Sequence, residues 1–163
     1  MKMRAYDRLS AVRYARRWAL GRNPAYADFE NMGGDCTNFV SQCLFAGCGV
    51  MDFTPVSGWY YVNLNERAPA WSGTVYLHRY LTENRGQGPF GRPAALQDVL
   101  PGDVVQWGDE KGRFFHTGLI TGTQPQLLVC AHTRDALDRP LHSYTHAQVR
   151  FVHVLGAMVD FIP

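Results

Sequence analysis

The sequence predicts an α+β fold in which N-terminal helices pack on a mostly antiparallel sheet. Three observations carry that expectation. Helical spacing of apolar residues is confined to the first half, and short apolar segments punctuated by Gly, Pro and Asp fill the second. Between them, Cys36 stands where a Gly-containing loop turns into an amphipathic helix. A chain of 163 residues has room for one domain with a real core, and residues 1–163 are read as that domain.

Residues 6 to 20 read as a first helix, with Leu9, Val12, Ala15, Trp18 and Ala19 on an apolar face, ending near Gly21 before the turn-forming Asn23-Pro24. In the second helix, Phe39, Val40, Cys43 and Leu44 follow Cys36 at offsets of three, four, seven and eight, and Gly47 marks its end. Asp35 is a residue type that favours the N-cap, and Gly33-Gly34 gives the backbone freedom for a tight turn. Residues 51 to 69 read as loop with short extended pieces, Trp71 to Leu81 as a third helix, and 85 to 93 as a surface loop rich in Gly, Arg and Pro. After the turn Pro101-Gly102-Asp103 come strands at Val104 to Trp107, Phe114 to Thr121, Leu127 to His132 and Val149 to Leu155.

Composition narrows the function. A formal charge of +2 is too small to argue for a nucleic-acid partner, and the N-terminal arginines, Arg4 to Arg22, decorate the polar side of a helix. No stretch approaches the ~18 apolar residues of a membrane span. Met1-Lys2-Met3-Arg4 runs into the first helix without the apolar core of a signal peptide, so the chain as given reads as cytoplasmic unless another route releases it. Cys36, Cys43, Cys48 and Cys130 form neither a disulfide framework nor a closely spaced zinc-ligand pair, so reduced thiols and no metal are expected.

The head of a helix favours a thiolate, through exposed N–H groups and the positive end of the dipole, while an ionised Asp35 beside the sulfur opposes it. A cysteine nucleophile also needs a base, and the base gains from a third group that holds its tautomer. Of the histidines, His116 lies on a strand where Phe115, Thr117 and Leu119 share one face and His116, Gly118 and Ile120 the other, the glycine leaving room for an approach. His132 ends the next strand, so neighbouring strands would set the two imidazoles side by side; Asp135 competes with it as the orienting group. Cys36, His116 and His132 are thus the candidate catalytic set. Trp59, Tyr60, Tyr61 and Trp71 would line a substrate cleft or else fill the core, and Asp35 would bind a substrate amine or else serve as a cap.

GGDCTNFVSQCLFAG, the preceding AVRYARRWALGRNPAY, the Trp59 and Trp71 segments, LPGDVV, HTGLIT and AHTRD, in this order, resemble the bacterial putative amidase-domain family over nearly the whole chain. That family resembles a branch of the papain-like cysteine hydrolases, related to the cysteine, histidine-dependent amidohydrolase/peptidases and to cell-wall endopeptidases. The resemblance implies Cys36 as nucleophile, His116 as general base and then acid, and His132 as orienter. It also implies an oxyanion hole built on the Cys36 backbone N–H, with Asn31 as candidate second donor. Amide hydrolysis through a thioester needs no cofactor, and the implied partner is a peptide or amide substrate, with cell-wall peptide stems the class suggested by the family's relatives. Acyl transfer by the same pair, and a binding domain that keeps the fold without the chemistry, are the alternative readings.

Overall fold

The computed structural model describes residues 1–160. Its elements, in chain order, are β1 (Lys2–Arg4), α1 (Arg8–Trp18), α2 (Cys36–Cys48), β2 (Tyr61–Asn63), β3 (Glu66–Arg67), α3 (Pro69–Ser72) and α4 (Thr74–Glu83). They are followed by β4 (Gly88–Ala94), β5 (Val104–Gly108), β6 (Phe114–Gly122), β7 (Leu128–Ala131), β8 (Ala136–Pro140) and β9 (Gln148–Val159). The predicted α+β class is what the chain adopts: helices lead, and an antiparallel sheet ordered β1-β9-β5-β6-β7-β8 follows, with β4 on the other side of β9.

Local chemistry explains most boundaries. Asp7 caps α1 by accepting the Ser10 backbone N–H at 3.0 Å. The second helix runs past Gly47 and stops at Gly49, which takes a left-handed conformation and returns its N–H to the Phe45 carbonyl. Three expectations change. The third helix is two, broken at Gly73. Residues 88 to 94 form a strand where a loop was expected; β4 pairs only with β9, and Pro89 and Pro93 are tolerated there because an edge strand leaves one row of backbone groups unpaired. Residues 136 to 140 add the edge strand β8, and β7 stops at Ala131, so His132 lies just beyond its strand.

The sheet buries both faces. On one, Val104, Leu119, Cys130, Val152 and Val154 pack against Phe39, Val40, Cys43 and Leu44 of α2. On the other, Val105, Trp107, Ile120, Val129 and Phe151 form a second apolar cluster under the 141–144 segment. Strand alternation then sorts the polar residues. Thr117 looks toward α2, while His116 and Gly118 look toward the second cluster. The room predicted beside Gly118 is filled: a Cβ there would stand 2.7 Å from Val129 Cγ1 and 2.9 Å from Trp107 Cη2.

That packing yields a stability test. Gly118→Ala forces an extra carbon against a stiff β-branched side chain and a buried indole, and should cost about 1–3 kcal/mol. Urea denaturation of wild type and variant checks it; an unchanged midpoint would show that the two side chains give way freely.

Candidate active site

Cys36 is the first residue of α2 and only 7 % exposed. The loop that delivers it bends at Gly33 and Gly34, whose φ values of +99° and +105° are open to glycine and strained for other residues. Around the sulfur, Thr37 Oγ1 lies 3.8 Å away, and that hydroxyl is 2.9 Å from Thr117 Oγ1 and 3.1 Å from Thr74 Oγ1. Burial pushes the Cys36 thiol above its ordinary value, opposed by hydrogen bonds from the Thr117 backbone N–H and from Thr37. The resting sulfur is therefore a neutral thiol at physiological pH. Nothing extra is contributed by Asp35 as a helix cap, because its side chain makes no capping bond.

Instead Asp35 turns inward. It is wholly buried, and its Oδ1 accepts the Phe29 backbone N–H and the Asn38 side-chain amide, each at 2.8 Å. Its Oδ2 faces His132 Nδ1 at 2.5 Å, with Arg22 Nε 3.6 Å away. Burial alone would raise the Asp35 carboxyl, but the bonds from His132, Asn38 and Phe29 outweigh it and hold it below the usual carboxylate value. On the far side of the ring, His132 Nε2 donates to the Trp18 carbonyl at 2.8 Å, and the imidazole stacks on Phe39 with centroids 4.0 Å apart. Both ring nitrogens thus meet oxygen atoms, which fixes the orientation of the ring from two sides.

His116 is elsewhere. Its ring stacks on Trp107 with centroids 4.9 Å apart, near Tyr144, on the sheet face opposite α2. Burial lowers its pKa to about 4, helped by the positive charge of Arg139, so it is neutral through the physiological range. Nearby Trp107 Nε1, Tyr144 OH and His146 Nδ1 are buried without a hydrogen-bond partner among the described residues. The two imidazoles are thus not side by side: the structure joins His132 to Asp35, and no hydrogen bond links either histidine to Cys36 among the described residues.

The remaining sequence candidates separate cleanly. Trp59 is fully buried and donates its indole N–H to Ser41 Oγ at 3.0 Å, so the cleft role is replaced by a core role. Asp35 has no oxygen left for a substrate amine. Asp135, the competing orienter, is paired with Arg22 at 2.8 Å. Asn31 is exposed on the turn before the glycines. Sequence reasoning missed Arg22, which reaches Asp28, Glu30, Asp35 and Asp135; its contacts span the chain and leave no spacing signal. Among the described residues, no three His, Cys, Asp or Glu side chains stand together as a metal-binding group. A cavity of about 460 Å³ lined by Asp52, Pro69, Tyr76, Arg79 and Glu83 lies over α3 and α4, without Cys36 or His116 in its wall.

The buried Asp35 carboxylate makes a testable demand. Because its folded-state pKa is depressed, its contribution is fully present above about pH 4, the unfolded carboxylate range, and is lost as pH falls below it. Asp35→Asn should cost about 1–3 kcal/mol, since it breaks the buried hydrogen bond between that carboxylate and the His132 ring, and should flatten the acid limb of stability against pH. Chemical denaturation between pH 3 and 7 reads both effects.

No solved structure matches the chain. Uncharacterized protein YhbB of Bacillus subtilis (strain 168) is 36% identical over 141 residues, which cover 82% of this chain and 43% of that protein, so the chain spans less than half of its relative's length. The model of the family described as "Putative amidase domain" matches residues 5–155, and the chain belongs to that family.

Proposed function

We propose that the chain is a papain-like cysteine hydrolase that cleaves a peptide amide through a thioester on Cys36, with His116 as general base and then general acid. One observation carries the reading. The Thr117 backbone N–H lies near enough to the Cys36 sulfur to oppose the rise in its pKa, and that nitrogen is bonded directly to the His116 carbonyl carbon. Cys36 thus stands beside the backbone that carries His116, whose ring stacks on Trp107 across the sheet, and the reaction requires the start of β6 to turn that ring toward the thiol.

The chemistry begins from two neutral groups. As Cys36 Sγ attacks the carbonyl carbon, its proton passes to His116 and negative charge moves to the carbonyl oxygen. Backbone N–H groups at the head of α2 have no intrahelical acceptor and point toward that oxygen, with the exposed Asn31 amide as second donor. The C–N bond then breaks as His116 returns the proton to the leaving amine. A water deprotonated by His116 attacks the thioester, giving the acid product and the free thiol. In this scheme His132 and Asp35 position the nucleophile's loop and do not orient His116. An amide substrate is what the amidase family supports; peptide amides are this reading's own choice, and bacterial cell-wall peptide stems are the first to try on the resemblance to cell-wall endopeptidases.

Turnover of peptide 4-nitroanilides and of cell-wall stem peptides tests the roles. Cys36→Ala should abolish it, and His116→Ala should lower kcat/KM by about 10²–10⁴-fold. Because His116 must be unprotonated to act, activity should rise with pH through about 4 and stand at its plateau by neutrality. Mass spectrometry of the quenched wild type should show an acyl adduct on Cys36. Turnover that survives Cys36→Ala, or an acid limb near the ordinary histidine value, would refute the assignment.

A further inference from the structure

Arg150 is the charged group left unexplained by the rest of the fold. It stands on β9 opposite Gln106 of β5, which in turn stands opposite Thr117 of β6. The three side chains make a polar row across the sheet on the face covered by α2 and α4. Thr117 Oγ1 meets Thr37 Oγ1, and Gln106 Nε2 donates to the Thr74 carbonyl at 2.8 Å. Gln106 is 1 % exposed and oriented by those bonds. Its Oε1 is thereby aimed at Arg150, accepting from Nε at 2.9 Å and Nη2 at 2.7 Å.

A neutral amide satisfies two N–H groups of the guanidinium but none of its charge. The cation lies 3.8 Å from the Phe114 ring centroid, and no carboxylate pairs with it among the described residues. His78 of α4, which feels the Arg150 charge, is held neutral, lowered to about 4 by burial and by that charge. The result is a half-buried, oriented cation whose remaining N–H groups have no described partner. Two strand spacings of ~4.8 Å separate it from Thr117, and hence roughly from Cys36, which matches about three residues of extended peptide.

We propose that Arg150 is a substrate-binding residue that receives a carboxylate of the peptide substrate about three residues from the scissile bond. The role rests on the hydrolase reading for its relation to Cys36, while the carboxylate site itself does not depend on catalysis. The carboxylate belongs to a peptide C-terminus or to an acidic side chain.

Binding is measured on the Cys36→Ala protein by calorimetry and by the Arg150 Nε–Hε resonance, with N-acetyl-trialanine as free acid, as C-terminal amide, and as an amide carrying glutamate at the third residue. The free acid should bind at least about tenfold more tightly than the amide and shift the resonance, a preference that Arg150→Gln removes and Arg150→Lys keeps in part. Tight binding of the glutamate amide alone would assign the side-chain source. Equal binding of all three peptides, or a preference that survives in Arg150→Gln with a native circular dichroism spectrum, would overturn the site. Turnover of 4-nitroanilides by wild type is scored separately: turnover without carboxylate preference removes only this inference, and carboxylate binding without turnover removes only the hydrolase reading.

Discussion

The constraint on which the site depends is the buried carboxylate of Asp35. A buried charge is tolerable only when paired and hydrogen-bonded, and this one collects partners from three separate places: Phe29 in the preceding loop, Asn38 one turn into α2, and His132 beyond the end of β7. Breaking any of these contacts leaves a charge in an apolar setting, so the loop, the helix and the sheet edge are fixed together. Arg22 ties the same assembly from outside through Asp28, Glu30 and Asp135, in half-exposed pairs where solvent screens most of the attraction. The position of Cys36, next in sequence, follows from the position of its neighbour.

The electrostatics of Cys36 and His116 differ from those of that support. Asp35 is a buried carboxylate hydrogen-bonded to His132, whereas Cys36 and His116 are each held in the neutral form by burial. In the proposed chemistry, charge arises at Cys36 and His116 only when substrate arrives. The stacking of His116 on Trp107 contributes to this state, because an imidazole lying on an indole is desolvated on one face.

Much of the scaffold was legible in the chain. The glycine turn, the helix from Cys36 and the strands β5, β6, β7 and β9 follow from turn chemistry and periodicity, and alternation correctly separated His116 from Thr117. What alternation does not say is which face a helix covers, and that choice sends His116 toward Trp107 and Thr117 toward the sulfur. The Asp35–His132 pair is equally hidden, since it joins residues 97 positions apart with no shared motif. Strand β4 was obscured by its prolines, which read as loop until the edge position is known. Trp59 shows the converse: an aromatic beside a candidate site is consistent with cleft or core, and its N–H bond to a buried serine decides for core.

The turn after β7 carries a further consequence. Thr133 and Arg134 are consecutive non-glycine residues in the left-handed region, and Thr133 Oγ1 accepts the Asp35 backbone N–H at 3.2 Å. Surface turns between strands usually tolerate insertions, deletions and new chain ends. This one is tied to the residue that precedes Cys36, so length variation during divergence should be excluded here and diverted to the neighbouring β5–β6 hairpin, whose exposed tip at Glu110 to Arg113 holds nothing of the site.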